Sequence, residues 1–239
     1  MRPVTRGASP IAGDFARYGD AYPYLVAQLE KYCSYCERYL PTGLAVEHIQ
    51  PKDRYRALEL TWDNFLLGCV NCNSTKGDRD VLLYDLLLPD RDNTFAAYEY
   101  SADGQVRPSP RLDAAGRRLA EKTLVLTGQN TLRRLPSDPN LRRVALDRIS
   151  ERRQVWMLAL ECQADIGRSP SEELRNAVVR VARFSGFFSI WMKVFEGDAD
   201  MRRRFIDAFV GTATDCFDPA TTAAVAPRPG NGLAHCAKA

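Results

Sequence analysis

The sequence predicts an α+β chain that is mainly α, and three observations carry that expectation. Two Cys-x-x-Cys pairs, Cys33/Cys36 and Cys69/Cys72, bracket a short strand pattern in the first third of the chain. A stretch rich in Pro, Asp, Asn and Gly follows, and the pattern turns helical from Arg111 onward, with apolar residues recurring at three- and four-residue steps. The expected division is a cysteine-bearing unit over 1–90, a junction over 91–110, a helical domain over 111–217 and a flexible tail over 218–239.

Within the first unit, a Pro- and Gly-punctuated opening leads into a helix over about 14–32, marked by Tyr18, Tyr22, Leu25 and Leu29. Residues 44–49 predict a strand entered from the Pro41-Thr42-Gly43 turn and closed by Pro51. An apolar run follows over 62–70, and Asn73 or Ser74 can cap a helix after Cys72. The junction allows one strand around 94–100, and helices are expected near 111–127, 138–166, 171–195 and 198–210. The stripe Leu174, Val178, Val181, Phe184, Phe188, Trp191, Phe195 is expected to be core, and Arg202-Arg203-Arg204 a solvated face. After Asp218, Ala, Thr, Pro and Gly dominate, which predicts a loose tail.

A chain of 239 residues that is 45% hydrophobic can bury a substantial core. It has no run of about 18 apolar residues, and Met1-Arg2-Pro3-Val4-Thr5-Arg6 is not an export signal, so the expected location is the cytoplasm, with no membrane partner. Seven cysteines in such a setting point to reduced or metal-bound thiols rather than disulfides. Cys162, Cys216 and Cys236 stand alone and are expected to pack or lie in the tail. Charge is uneven: residues 1–100 hold 11 Lys/Arg against 14 Asp/Glu, leaving 22 against 16 for the remainder of the 33 and 30. A partner or the second part would have to supply the cations that phosphate binding needs.

Two Cys-x-x-Cys pairs can close a tetrahedral zinc site, because two intervening residues let one turn present both sulfurs to the same ion. Four cysteines leave no open coordination position, so Cys33, Cys36, Cys69 and Cys72 are expected to hold a structural Zn²⁺. Between the pairs lies His48, one of only two histidines, next to Glu47 and followed by Asn64 and Asn73. A histidine near neutrality can activate water. Glu47 and the amide oxygen of Asn73 suit a hard cation, Mg²⁺ or Mn²⁺, that offsets charge on phosphate and leaving oxygen. Neighbours on a strand point to opposite faces, so His48 and Glu47 can act together only if the strand ends and bends there.

The segments Cys33-Ser34-Tyr35-Cys36, Glu47-His48-Ile49-Gln50-Pro51-Lys52, Trp62-Asp63-Asn64-Phe65-Leu66-Leu67 and Cys69-Val70-Asn71-Cys72-Asn73-Ser74-Thr75-Lys76-Gly77-Asp78 together resemble a zinc-containing HNH endonuclease. The resemblance implies a ββα-metal finger, with His48 as general base, Glu47 and Asn73 as ligands of a catalytic Mg²⁺, and Asn64 as the Asn that fixes the imidazole. Glu47 stands where Asp or His is commoner, and Asn73 where His is commoner; the Asn form is similar to that of RNA-guided nucleases. Lys52 and Lys76 are candidate phosphate contacts.

The opening Met1-Arg2-Pro3-Val4 with Arg6-Gly7, and the late runs Gly186-Phe187-Phe188-Ser189-Ile190-Trp191-Met192 and Ala208-Phe209-Val210-Gly211-Thr212-Ala213-Thr214-Asp215-Cys216-Phe217, are similar to bacterial HNH proteins of Septu-type and retron-linked anti-phage systems. That resemblance implies an ATPase partner and a nucleic-acid substrate, DNA ahead of RNA. The same chemistry on RNA, such as tRNA, and a non-catalytic zinc-stabilised adaptor are the competing expectations.

Overall fold

The computed structural model describes residues 1–129 and 137–239. Tyr18–Ala21 make a single 3-10 turn that passes into α1 (Tyr22–Leu29), with Pro23 in its first turn. The expected longer helix over 14–32 is cut at its C-terminal end by Glu30, whose φ of 56° leaves helical space. Leu25 and Leu29 are the buried face of α1, and they cover the hairpin that follows.

The strands β1 (Leu44–His48) and β2 (Phe65–Cys69) pair antiparallel, with Leu44 opposite Cys69 and His48 opposite Phe65. All five residues of β2 are buried, because α1 and α2 (Val70–Lys76) both pack on the hairpin. α2 starts earlier than the sequence suggests: the cap is Cys69, whose sulfur accepts from the Cys72 amide at 3.4 Å. A thiol is a weak cap, so this geometry points to a sulfur held in place for another purpose.

Residues 91–110 do not form a spacer. They contain α3 (Thr94–Ala97) and a second hairpin, β3 (Tyr98–Tyr100) with β4 (Val106–Pro108). Asp92, Asn93 and Thr94 have no exposed surface. Asn93 caps α3 while its amide nitrogen donates to the carbonyls of Cys216 and Val225, tying this stretch to the far end of the chain. The expected strand at 94–100 is thus half helix, as the capping Asn dictates.

The helical half comprises α4 (Ala114–Thr127), α5 (Pro139–Arg168), α6 (Glu172–Ser185), α7 (Phe188–Val194) and α8 (Ala199–Ala208). Asp113, Ser171 and Asp198 cap α4, α6 and α8, each accepting from a backbone amide three residues on. The single helix expected over 171–195 is two helices. At Gly186 (φ +72°) a Cβ would lie 2.6 Å from the Tyr39 nitrogen and 2.7 Å from the Glu37 carbonyl, so only glycine lets the chain turn here against the first cysteine loop. The turn re-aims the apolar stripe: Trp191 and Phe195 are buried around Phe205 and Phe188 against Phe209, whereas Phe184 is 72% exposed and Val181 also faces solvent.

The remaining expectations for the second half are corrected by packing. Arg202 is buried and donates to the Thr222 carbonyl at 2.6 Å, while Arg204 pairs with Asp200 and with Glu172 of α6. Residues 218–239 are not loose: the buried Arg228 donates to the Val4 carbonyl and the Thr5 hydroxyl, and Asn231 to the Asp90 carbonyl. The opening segment is buried too. Val4 bridges Thr212, and Arg2 donates to the carbonyls of Leu29, Phe209 and Val210. The hydrophobic core therefore runs through the described residues of both halves. No helix among the described residues is long and apolar enough to cross a membrane.

Candidate active site and metal centre

Cys33 and Cys36 lie on a tight loop closed by the Tyr32–Tyr39 bridge, in which the Cys33 amide donates to Arg38 and the Glu37 amide to Cys33. Cys69 ends β2 and Cys72 sits in the first turn of α2, so strand pairing brings the two pairs together. The four Sγ atoms all lie within 4.8 Å of one another and all four residues are buried. Cys36 and Cys69 sulfurs are 3.8 Å apart. Zn–S bonds of about 2.3 Å in a tetrahedron require S–S distances of about 3.8 Å, so the donors present fit zinc.

Sequence reasoning missed what surrounds these sulfurs. Gln129, just beyond α4, and Arg148 of α5 donate to Cys72 Sγ at 3.4 and 3.5 Å. The Cys69 amide donates to Cys33 Sγ at 3.4 Å. Arg148 is buried, which works against its charge, but the facing cysteine sulfurs outweigh burial and hold the guanidinium more firmly charged than usual. Four thiolates around Zn²⁺ carry a net charge of −2, so a buried cation beside them is electrostatically favoured. Nothing local in the sequence marks Arg148 among its neighbours.

His48 ends β1 half-buried. Its Nε2 lies 2.9 Å from the Glu59 carbonyl. A carbonyl only accepts, so Nε2 carries the proton and Nδ1 keeps its lone pair. The ring is held edge-on by Phe65 (centroids 5.3 Å apart) and by Tyr18 (4.9 Å). Burial lowers the imidazole pKa, and Lys52 and Lys76 add to the effect against the Glu59 hydrogen bond, which leaves the ring neutral and basic near pH 7.

The Asn64 side chain holds backbone rather than the imidazole. Its Oδ1 accepts from the Gln50 amide at 2.8 Å and its Nδ2 donates to the carbonyls of Gln50 (3.0 Å) and Leu58 (3.1 Å). It clamps the loop that leaves His48, and Leu58 precedes the very residue whose carbonyl holds the ring. Asn64 thus acts on the backbone that orients His48.

Glu47 is 1% exposed and its Oε1 is 3.0 Å from the Nζ of Lys76, itself 3% exposed. Burial pushes the Glu47 carboxyl up, while Lys76 and a hydrogen bond from Tyr35 pull the other way. Lys76 is thus a buried counter-ion rather than a surface phosphate contact. Asn73 lies one helical turn before Lys76 on α2 and is partly exposed, so the two share a face of the helix. Among the described residues, the partner of Glu47 Oε1 is the Lys76 ammonium. An oxygen set from Glu47 and Asn73 has the right chemistry for a hard cation, and such a cation would compete with Lys76 for the carboxylate. Lys52, by contrast, is 40% exposed, 3.9 Å from Glu59 and 4.8 Å from the Tyr18 ring.

Residues 33–79, which carry this hairpin, the four cysteines and α2, match the family model of the HNH endonuclease. These residues are an HNH endonuclease domain. Cys33, Cys36, His48, Asn64, Cys69 and Cys72 all lie inside the matched segment. A 79-residue stretch is 34% identical to the Septu protein PtuB of Bacillus thuringiensis, covering 30% of this chain and 31% of that relative. The match thus spans under a third of the relative's length. Beyond the HNH domain, a cavity of about 980 Å³ opens between α4, β4 and the segment after α2. Its lining includes Arg79, Arg107, Arg117, Arg118, Lys122 and Arg152, set against Asp80, Asp85, Glu99 and Glu121. Lys122 pairs with Asp85 and Arg107 with Asp103, whereas Arg117 and Arg118 are exposed.

Proposed function

We propose that this protein is a metal-dependent HNH endonuclease that cuts DNA as the effector of a bacterial anti-phage system, in the cytoplasm and beside an ATPase partner. The observation that carries the nuclease reading is the His48 ring, locked by the Glu59 carbonyl so that Nδ1 is the free base, inside an HNH domain. His48 Nδ1 takes a proton from water, the water oxygen attacks phosphorus, and the bond to the 3′ oxygen breaks. Asn64 keeps the loop around His48 in register for that transfer. Glu47 and Asn73 would hold Mg²⁺ or Mn²⁺, which when bound supplies positive charge for the phosphate and the departing oxygen. Zn²⁺ on the four cysteines is structural, since four sulfurs leave it no open position.

The defence role and the ATPase partner rest on the likeness to the Septu protein and on the outer segments, which meet one another through Val4 and Thr212. Arg117 and Arg118 offer phosphate contacts that would offset the acidic balance of the first part of the chain. His48→Ala is expected to keep fold and zinc and to lower Mg²⁺-dependent cleavage by about 10²–10⁴-fold, read on plasmid DNA and on tRNA side by side. Cleavage of tRNA alone would move the substrate to RNA. Undiminished cleavage by the variant would remove His48 from the mechanism, and intact biological activity without any cleavage would favour an adaptor.

A further inference from the structure

The contact that no HNH motif explains is Tyr18. It lies in the 3-10 turn before α1, ahead of the matched segment 33–79, yet its ring meets the His48 ring edge-on at 4.9 Å and 66°. Tyr18 is not there as core: it is 38% exposed, and Lys52 sits over its ring at 4.8 Å. A core aromatic would be buried, and a surface aromatic would have no reason to abut the half-buried histidine. Three contacts then define the imidazole: the Glu59 carbonyl at Nε2, Phe65 from the partner strand and Tyr18 from outside the domain. The hydrogen bond holds one edge of the ring, and the two aromatic contacts add to it in resisting rotation about the Cβ–ring bond. Phe65 and Tyr18 each pack edge-on against the ring, Phe65 from within the matched segment and Tyr18 from ahead of it.

We propose that Tyr18 is a positioning residue for His48, holding the imidazole in the rotamer that keeps Nε2 on the Glu59 carbonyl and Nδ1 free. This inference rests on the nuclease reading for its consequence, though not for its geometry. It acts through ring contact, since the Tyr18 hydroxyl makes no hydrogen bond to the described residues and the edge contact needs only the aromatic ring. Tyr18→Phe should therefore preserve the effect and Tyr18→Ala should lose it. Lys52→Met separates the ammonium above the ring from the ring itself.

The full-length protein, with [¹⁵N]histidine incorporated, contains only two histidines, so the His48 ring nitrogens can be assigned by His48→Ala. In the wild type and in Tyr18→Phe, His48 is expected as the Nε2–H tautomer, and in Tyr18→Ala as an average of both tautomers. In Mg²⁺-dependent cleavage, Tyr18→Ala is expected to lower kcat about ten-fold with KM within about two-fold, and Tyr18→Phe to restore it, because a small loss of alignment acts on the chemical step. Thermal unfolding of all variants close to wild type separates positioning from folding. An unchanged tautomer together with unchanged kcat in Tyr18→Ala overturns the proposal, as does a loss in Tyr18→Phe equal to that in Tyr18→Ala. If the wild type cuts nothing, the nuclease reading fails, and the tautomer measurement still decides whether Tyr18 positions His48.

Discussion

Glu47 and Lys76 show how a single pair can alter the reading of a motif. The carboxylate that the family resemblance assigns to a cation is buried with an ammonium 3.0 Å away. Removing one partner of a buried pair costs about 3–5 kcal/mol, because the other charge is left unpaired in a poorly solvated site. Lys76→Met is expected to be destabilised by that order in metal-free buffer, with part of the loss recovered by millimolar Mn²⁺ binding at Glu47. Thermal unfolding with and without Mn²⁺ measures this, and a variant indifferent to Mn²⁺ would count against Glu47 as a ligand. The spacing of His48, Asn64, Asn73 and the cysteines was legible in the sequence, because ligand and base geometry in a hairpin–helix unit is local. Lys76 was legible only as a lysine, since its burial depends on how α2 seats against β1. Tyr18 was legible only as a helix-face residue, because its contact with His48 spans thirty positions of sequence and depends on where α1 docks.

At the scale of elements, the four-cysteine cluster is finished by the helical half. Arg148 reaches Cys72 from α5, and its Nη1 also holds the Thr127 and Gly128 carbonyls at the end of α4. Arg148→Met keeps much of the apolar volume but removes the cation beside the sulfurs. It is expected to release zinc to a chelator at least several-fold faster than wild type and to shift the thiolate charge-transfer bands of the Co²⁺-substituted protein, while Arg153→Met, an exposed neighbour on α5, leaves both unchanged. Unaltered spectra and release would show that Arg148 only packs. The helix expected at 171–195 was misread at Gly186 for a related reason. A lone glycine inside an apolar period is compatible with a continuous helix, and what forbids it is the backbone of residues 37–39 pressing against it from another part of the chain.

At the scale of the whole molecule, residues near both ends of the chain sit on buried ion pairs, while Arg117 and Arg118 of α4 are exposed. Asp90 is 2% exposed between Arg6, at 2.8 Å, and Arg91. Burial alone would raise its pKa, but the two guanidinium groups hold the carboxyl below its ordinary value. A folded pKa below the unfolded one gives stability that is present above the unfolded value of about 3.9 and lost as pH falls below it. Asp90→Asn is therefore expected to be less stable than wild type at pH 7 and to lose the difference below about pH 4, as read from urea unfolding across that range. For Arg117 and Arg118 the expectation concerns binding: the double alanine variant should bind nucleic acid more weakly, with a salt dependence shallower by about one to two units of slope, whatever the sequence. The sequence by itself determined the four cysteines with zinc-ligand spacing, the HNH constellation, the mainly helical second half and the charge imbalance, since each depends on residue type and short spacing. Only the tertiary structure decided that the opening residues, the 91–110 stretch and the final residues share a core, that Lys76 faces Glu47, that Tyr18 meets His48 and that Arg148 meets Cys72. Those are contacts between residues far apart in the chain, set by which faces pack, and neither local period nor composition carries that information.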